Sequence, residues 1–130
     1  MKKFILISGL LLCFVLTASA YSVEESREIV AQELKLASST LAGKQVDFMT
    51  TCVDVLFDGT NAIYVYMIDE SYCKLANVDV QLVKQTMMQI FNNNEAVKIF
   101  FNHLKNIDGK AVYVYIGSES RQTKSFFLPE

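Results

Sequence analysis

The sequence is poor in groups that carry chemistry. It has one histidine, His103, and three cysteines, of which only Cys52 and Cys73 lie beyond the first 20 residues. Neither cysteine belongs to a Cys-x-x-Cys pair or sits beside a histidine. A structural zinc site needs about four ligands at such spacings, so no metal site is expected. Also missing are a Gly-x-Ser-x-Gly, a glycine-rich phosphate loop and a calcium loop of alternating acids, and no cofactor is implied. Asp69 and Glu70 fail as a carboxylate pair, because adjacent strand residues point to opposite faces whereas glycoside cleavage needs two acids across a cleft. His103, near the end of a short helix, is expected at the surface, where a cation suits the helix dipole.

Charge is absent from the start of the chain after Met1-Lys2-Lys3. Phe4 to Thr17 carry none, and Ala18-Ser19-Ala20 follows. A basic start, a short apolar core and small residues before a cut form a secretory signal peptide, with cleavage expected after Ala20. A retained membrane anchor is the rival reading, since about 17 apolar residues can span a bilayer. The Ala-Ser-Ala site directly after the core favours cleavage, and Leu12 ahead of Cys13 argues against lipid attachment. The expected organisation is a signal peptide over residues 1–20 and one small domain over 21–130. That address is exported, periplasmic or secreted, with no membrane span after cleavage.

Losing Lys2 and Lys3 from the 12 basic residues leaves 10 against 14 acidic ones, a balance of minus four. Such a surface is a poor partner for nucleic acid. A chain of about 110 residues should bury roughly 65% of its unfolded surface, enough for one core. In an oxidising compartment the two remaining thiols are expected to pair as a Cys52–Cys73 disulfide. The intervening 20 residues put its stabilisation at about 3 kcal/mol.

The remaining sequence is rich in strand and helix signals. Val46 to Glu70 contains two β-branched and aromatic runs joined by Asp58-Gly59-Thr60-Asn61, which predicts an antiparallel hairpin. A two-residue turn at Gly59-Thr60 opposes Val55 to Tyr64 and Val53 to Tyr66. Val53, Val55, Phe57, Ala62, Tyr64, Tyr66 and Ile68 then share one face, with Cys52, Leu56, Ile63, Val65 and Met67 on the other. One bulge would exchange these faces.

Before the hairpin, Ser22 and Glu25 form a capping box for a helix. Its stripe is Val30, Leu34, Ala37 and Leu41, and Gly43 ends it. After a loop over 71–77, Asp79 or Asn77 can cap a second helix with Val80, Val83, Met87, Ile90 and Phe91 on one side. Met87 and Met88 fit either core or an adaptable groove. Asn92-Asn93-Asn94 breaks this helix, and Asn94 caps a third running to about Leu104. Asp108-Gly109 leads into a strand over Ala111 to Ile116, and Thr123 to Leu128 returns as another.

The order α-β-β-α-α-β-β predicts an α+β fold, an antiparallel sheet of about four strands in two hairpins covered by helices. Asp58-Gly59 with Ala62-Ile63-Tyr64-Val65-Tyr66 recurs as Asp108-Gly109 with Ala111-Val112-Tyr113-Val114-Tyr115. Shared preference for good strand residues accounts for this without a duplication. A leading helix, a strand entered at Val46-Asp47, an Asp-Gly turn, Tyr64-x-Tyr66, two helices and Tyr113-x-Tyr115 together resemble small exported bacterial proteins, the quorum-sensing-regulated virulence factor family among them.

Tyr64, Tyr66, Tyr113 and Tyr115 are the candidate partner-binding residues, because each pair shares a strand face and tyrosine joins contact area to a polar hydroxyl. Packing beneath the helices is the alternative place for them. The resulting functional reading is a non-enzymatic exported protein that binds a protein or envelope component through its sheet face or a strand edge. A small hydrolase-like enzyme with a dispersed site, and a secreted inhibitor using a loop such as Gly117 to Gln122, are the alternatives.

Overall fold

The computed structural model describes residues 21–129; the expected signal peptide lies outside the described residues. Helix α1 spans Val23–Leu41. Ser22 Oγ accepts from the Glu25 N–H while Glu25 Oε1 accepts from the Ser22 N–H, the reciprocal cap expected from the sequence. Gly43, at φ +82°, turns the chain into β1 (Gln45–Asp47), which is followed by β2 (Thr50–Phe57) and β3 (Ala62–Ile68). A single 3-10 turn at Leu75–Asn77 precedes α2 (Val80–Asn92) and α3 (Glu95–Asn106). Asp79 caps α2 and Asn94 caps α3 through their side chains, so the asparagine run separates two helices as its chemistry requires. The chain ends with β4 (Ala111–Gly117) and β5 (Thr123–Leu128).

The strands form one five-stranded sheet in the order β1-β2-β3-β4-β5. All neighbours are antiparallel except β3 and β4, which are parallel. This corrects the expected four-stranded antiparallel sheet in two respects. The run read as one strand breaks at Phe48-Met49 into β1 and β2, where Asp47 Oδ1 accepts from the Met49 N–H at 2.9 Å. The two hairpins are also joined side by side by the long connection through α2 and α3, the kind of crossover that a parallel pair needs.

The Asp58-Gly59-Thr60-Asn61 turn forms as expected. Asp58 Oδ1 accepts from the N–H groups of Thr60 (2.8 Å) and Asn61 (2.6 Å), and Gly59 sits at φ +97°. Val55 faces Tyr64, but a bulge at Val53 makes Cys52, not Val53, the partner of Tyr66. Val53 is therefore thrown outward, 42% exposed, and Cys52 joins the covered face.

The recurrent segments lie next to each other and in register. Ala62, Ile63, Tyr64, Val65 and Tyr66 stand beside Ala111, Val112, Tyr113, Val114 and Tyr115. The junction is stitched by Ala62 N–H to Lys110 O (2.9 Å) and Lys110 N–H to Asn61 Oδ1 (3.0 Å). Val30, Leu34 and Ala37 of α1, Met87 and Phe91 of α2, and Val97, Phe100 and Leu104 of α3 close the core over one sheet face.

Candidate functional site

The covered face is an aromatic floor. Tyr64, Tyr66, Tyr113 and Tyr115 are only 1–4% exposed. Tyr64 stacks on Tyr113 at 4.8 Å and Tyr66 on Tyr115 at 5.3 Å, with Phe126 continuing the row beyond Tyr113 at 5.1 Å. Burial is the main cause pushing all four hydroxyls above the usual tyrosine range. The surface expected of these tyrosines is thus inside the protein, because the parity that aligns them also turns them toward the helices.

The alternate residues make the opposite face. Ile63, Val65 and Met67 of β3 and Val112, Val114 and Ile116 of β4 are half-buried, whereas every second residue between them is buried. Leu56 and Phe127, 45% and 46% exposed, extend the row through Ile63 and Val112 at either side. Toward the edges stand Thr51, Thr123 and Ser125, paired with Met67, Ile116 and Val114. The middle of this face is apolar and uncharged. Strand alternation revealed two apolar sets; which set the helices would cover was not contained in it.

The one contact between a hydroxyl and an imidazole is interior. Ser26 Oγ lies 2.8 Å from His103 Nδ1, and Asn106 Nδ2 reaches Ser26 Oγ at 2.9 Å together with the carbonyls of Tyr21 and Ser22. The amide nitrogen only donates, so Ser26 Oγ accepts from Asn106, and its bond to His103 Nδ1 completes the contact. Tyr21 packs its ring edge-on at 5.0 Å. His103 is 1% exposed and burial lowers its pKa, so the expected surface position is corrected: the hydroxyl–imidazole pair clamps α1 to α3. With Ser26 fully buried, no substrate carbonyl reaches its oxygen.

Glu70 is the second buried polar anchor. Its carboxylate accepts from the N–H groups of Leu75 (2.8 Å), Glu119 (2.8 Å) and Ser120 (2.7 Å) and from Ser120 Oγ (3.1 Å). The bonds to Leu75 and Ser120 lead in holding its pKa down at about 2. This binds the β4–β5 turn, including the Gly117 to Gln122 loop, to the end of β3. Asp69 instead accepts from the Ser71 N–H and hydroxyl, so the two neighbouring acids serve separate loops.

Cys52 and Cys73 are free thiols, contrary to the expected disulfide. Cys52 is buried beneath α1 on the covered face, and its thiol is pushed up to about 11 by burial and by Asp54. The Cys73 Sγ instead lies 3.6 Å from the Lys74 carbonyl in the loop beyond β3. Met87 is core, while Met88 lines a hollow of about 250 Å³ with Phe91, Phe101, Leu128 and Pro129. Among the described residues no group of three or more His, Cys, Asp or Glu side chains could hold a metal ion, and no helix is long and apolar enough to cross a membrane.

These features define a mixed α+β protein with helices on one side of a five-stranded sheet. No protein-family model matches the chain, and no curated protein matches it. Among solved structures it is similar to a "putative secreted protein (PA3611)" of Pseudomonas aeruginosa, with a TM-score of 0.54 and 10% identity over 78% of this chain and 91% of that one. At that identity the likeness is one of fold.

Proposed function

We propose that the mature chain is an exported, non-enzymatic binding protein that meets a protein or cell-envelope component through the open face of its sheet. The carrying observation is the uncharged apolar surface of Ile63, Val65, Met67, Val112, Val114 and Ile116, on the side of the sheet away from the helices. Contiguous apolar surface of this kind, edged by hydroxyl side chains, is typical of interaction sites. The tyrosines take part from below, as the stacked layer that holds β3 and β4 in register. The secreted designation of the similar Pseudomonas protein supports export, as does the signal peptide expected over residues 1–20. Membership of the quorum-sensing-regulated virulence factor family belongs to the same proposal and rests on the order of elements.

The test is recovery of a partner from the native envelope fraction by the wild type and by a Val65→Lys/Val114→Lys variant, with circular dichroism on both. Two charges in the middle of the face should abolish recovery and leave the helical signal unchanged. Equal recovery of the same partner by the folded variant overturns the assignment.

A further inference from the structure

Where the asparagine run separates α2 from α3, the two helices and the end of β5 leave a hollow of about 250 Å³. Leu128 of β5 and Phe91 of α2 are only 4% and 6% exposed and form its inner wall. Phe101 of α3 packs against Phe91 with the ring centres 5.1 Å apart, so two rings make one continuous aromatic wall. Met88, Asn92, Lys98 and Pro129 are exposed and frame the mouth. Among the lining side chains only Asn92 and Lys98 carry strong hydrogen-bonding groups. Water therefore gains little there, whereas apolar atoms would gain dispersion contacts with the walls.

Size and charge narrow the occupant. An apolar cavity of about 150 Å³ takes up benzene, and on that scale this hollow accepts about ten carbon atoms, fewer than the drug-sized ligands of larger pockets. Lys98 is the one charged side chain among the described residues that line it. Its ammonium lies 4.0 Å from Glu95 Oε1, and the two side chains are 48% and 85% exposed. A contact so long and so well solvated holds the lysine weakly and leaves it available to an incoming anion. The flexible thioether of Met88 can adjust the mouth to the chain that enters.

We infer that this hollow binds a medium-chain carboxylate of about eight to ten carbons, the alkyl tail lying against Phe91, Phe101 and Leu128 and the carboxylate meeting Lys98. Leu128 is on the helix side of the sheet, opposite the face of Val65 and Val114. This site and the open face therefore stand or fall independently.

The probe is sodium decanoate, titrated below its micelle concentration into the methyl-labelled native protein and followed by NMR. Shifts should centre on the methyl groups of Met88 and Leu128, and the Val65→Lys/Val114→Lys variant should bind decanoate equally well. Each carbon added from hexanoate upward should tighten binding about fourfold, levelling off near about ten carbons as the hollow fills. Lys98→Glu should weaken decanoate about tenfold, through lost attraction and added repulsion, and leave neutral 1-decanol unchanged. Met88→Asp, at an exposed helix position, should weaken both ligands by placing a charge in the apolar wall. Absence of shifts at millimolar decanoate, affinity indifferent to chain length, Lys98→Glu acting on decanol as on decanoate, or shifts confined to the open face each overturns the proposal. A response to phosphatidylglycerol vesicles with none to free decanoate would make the hollow a membrane contact and overturns it too.

Discussion

Tyr64 and Tyr113 stack with their rings 4.8 Å apart and 8° from parallel, because they occupy directly opposed positions in the parallel β3–β4 pair. The two strands carry nearly the same sequence, so alignment in register sets like on like: alanine beside alanine, tyrosine on tyrosine, valine beside valine. A slip of one strand by one residue would set its valines beside the other strand's tyrosines and turn its own tyrosines to the open face. The tyrosine rows therefore fix the register of the only parallel pair in the sheet.

Replacing Tyr64 or Tyr113 with Ser should lower stability by roughly 3–5 kcal/mol, as large-to-small changes in a packed core do. Tyr66→Phe should behave differently. The Tyr66 hydroxyl is buried without a hydrogen-bond partner among the described residues, and deleting such a group relieves a cost of about 1–3 kcal/mol. Urea unfolding should show Tyr66→Phe as stable as the wild type or more so; a clear loss would mean that the hydroxyl has a partner.

Gly109 and Gly117 probe the two ends of β4. A Cβ at Gly109 would run into the Thr60 carbonyl, a backbone atom held in the 58–61 turn, with Leu104 also in contact. At Gly117 it would meet the Glu70 carboxylate at 2.5 Å, a side chain that can move but only by giving up its bonds to the β4–β5 turn. Gly109→Ala should therefore cost the most, more than the 1–3 kcal/mol typical of overpacking. Gly117→Ala should fall within that range. Thermal unfolding of the two variants compares them directly, and the reverse order would contradict this account of the junction.

Much of the fold is legible in local chemistry. The Ser22–Glu25 box, the Asp79 and Asn94 caps and the Asp58-Gly59 turn each act within a few residues, and each forms as the sequence implies. The relations that decide function are longer in range. Nothing local distinguishes β4 beside β3 from β4 in a separate hairpin, although the recurrence of Ala-x-Tyr-Val-Tyr is what an in-register pair would display. The bulge at Val53 reverses the face of Cys52 without changing composition. His103 looks like a surface residue until α1 brings Ser26 to it from 77 positions away. For the same reason the sequence points to the tyrosines as exposed, whereas they are buried and the residues between them form the open side.

The cysteines should differ sharply toward a thiol reagent in the native protein. Cys52 is fully buried with its pKa raised to about 11, whereas Cys73 is partly exposed in a loop. Thiolate is the reactive form, so Cys73 should be alkylated quickly and Cys52 only at the rate of unfolding. Timed alkylation with peptide mass spectrometry on the native protein reads this out. A single linked Cys52–Cys73 peptide would instead contradict the free-thiol arrangement.

Acid should weaken the fold through two groups, His103 and Glu70. The His103 pKa is lowered from 6.5 by burial, so below pH 6.5 the unfolded chain takes up a proton that the folded chain refuses. Stability from the neutral imidazole is present above that pH and is lost as pH falls toward the folded value. Glu70 is also depressed, from 4.5 to about 2, by the Leu75 and Ser120 N–H groups first. Its contribution is present above pH 4.5 and disappears on descent to about 2. Glu70→Gln replaces an acceptor of several N–H groups with an amide that presents donors of its own, so it should reduce stability already at neutral pH. It should also flatten the dependence between pH 4.5 and 2, leaving the histidine window intact. Chemical unfolding at half-unit pH steps, with the imidazole followed by NMR, separates the two effects. If the Glu70→Gln profile keeps the lower slope, the staple between β3, the 3-10 turn and the β4–β5 turn is not what acid breaks.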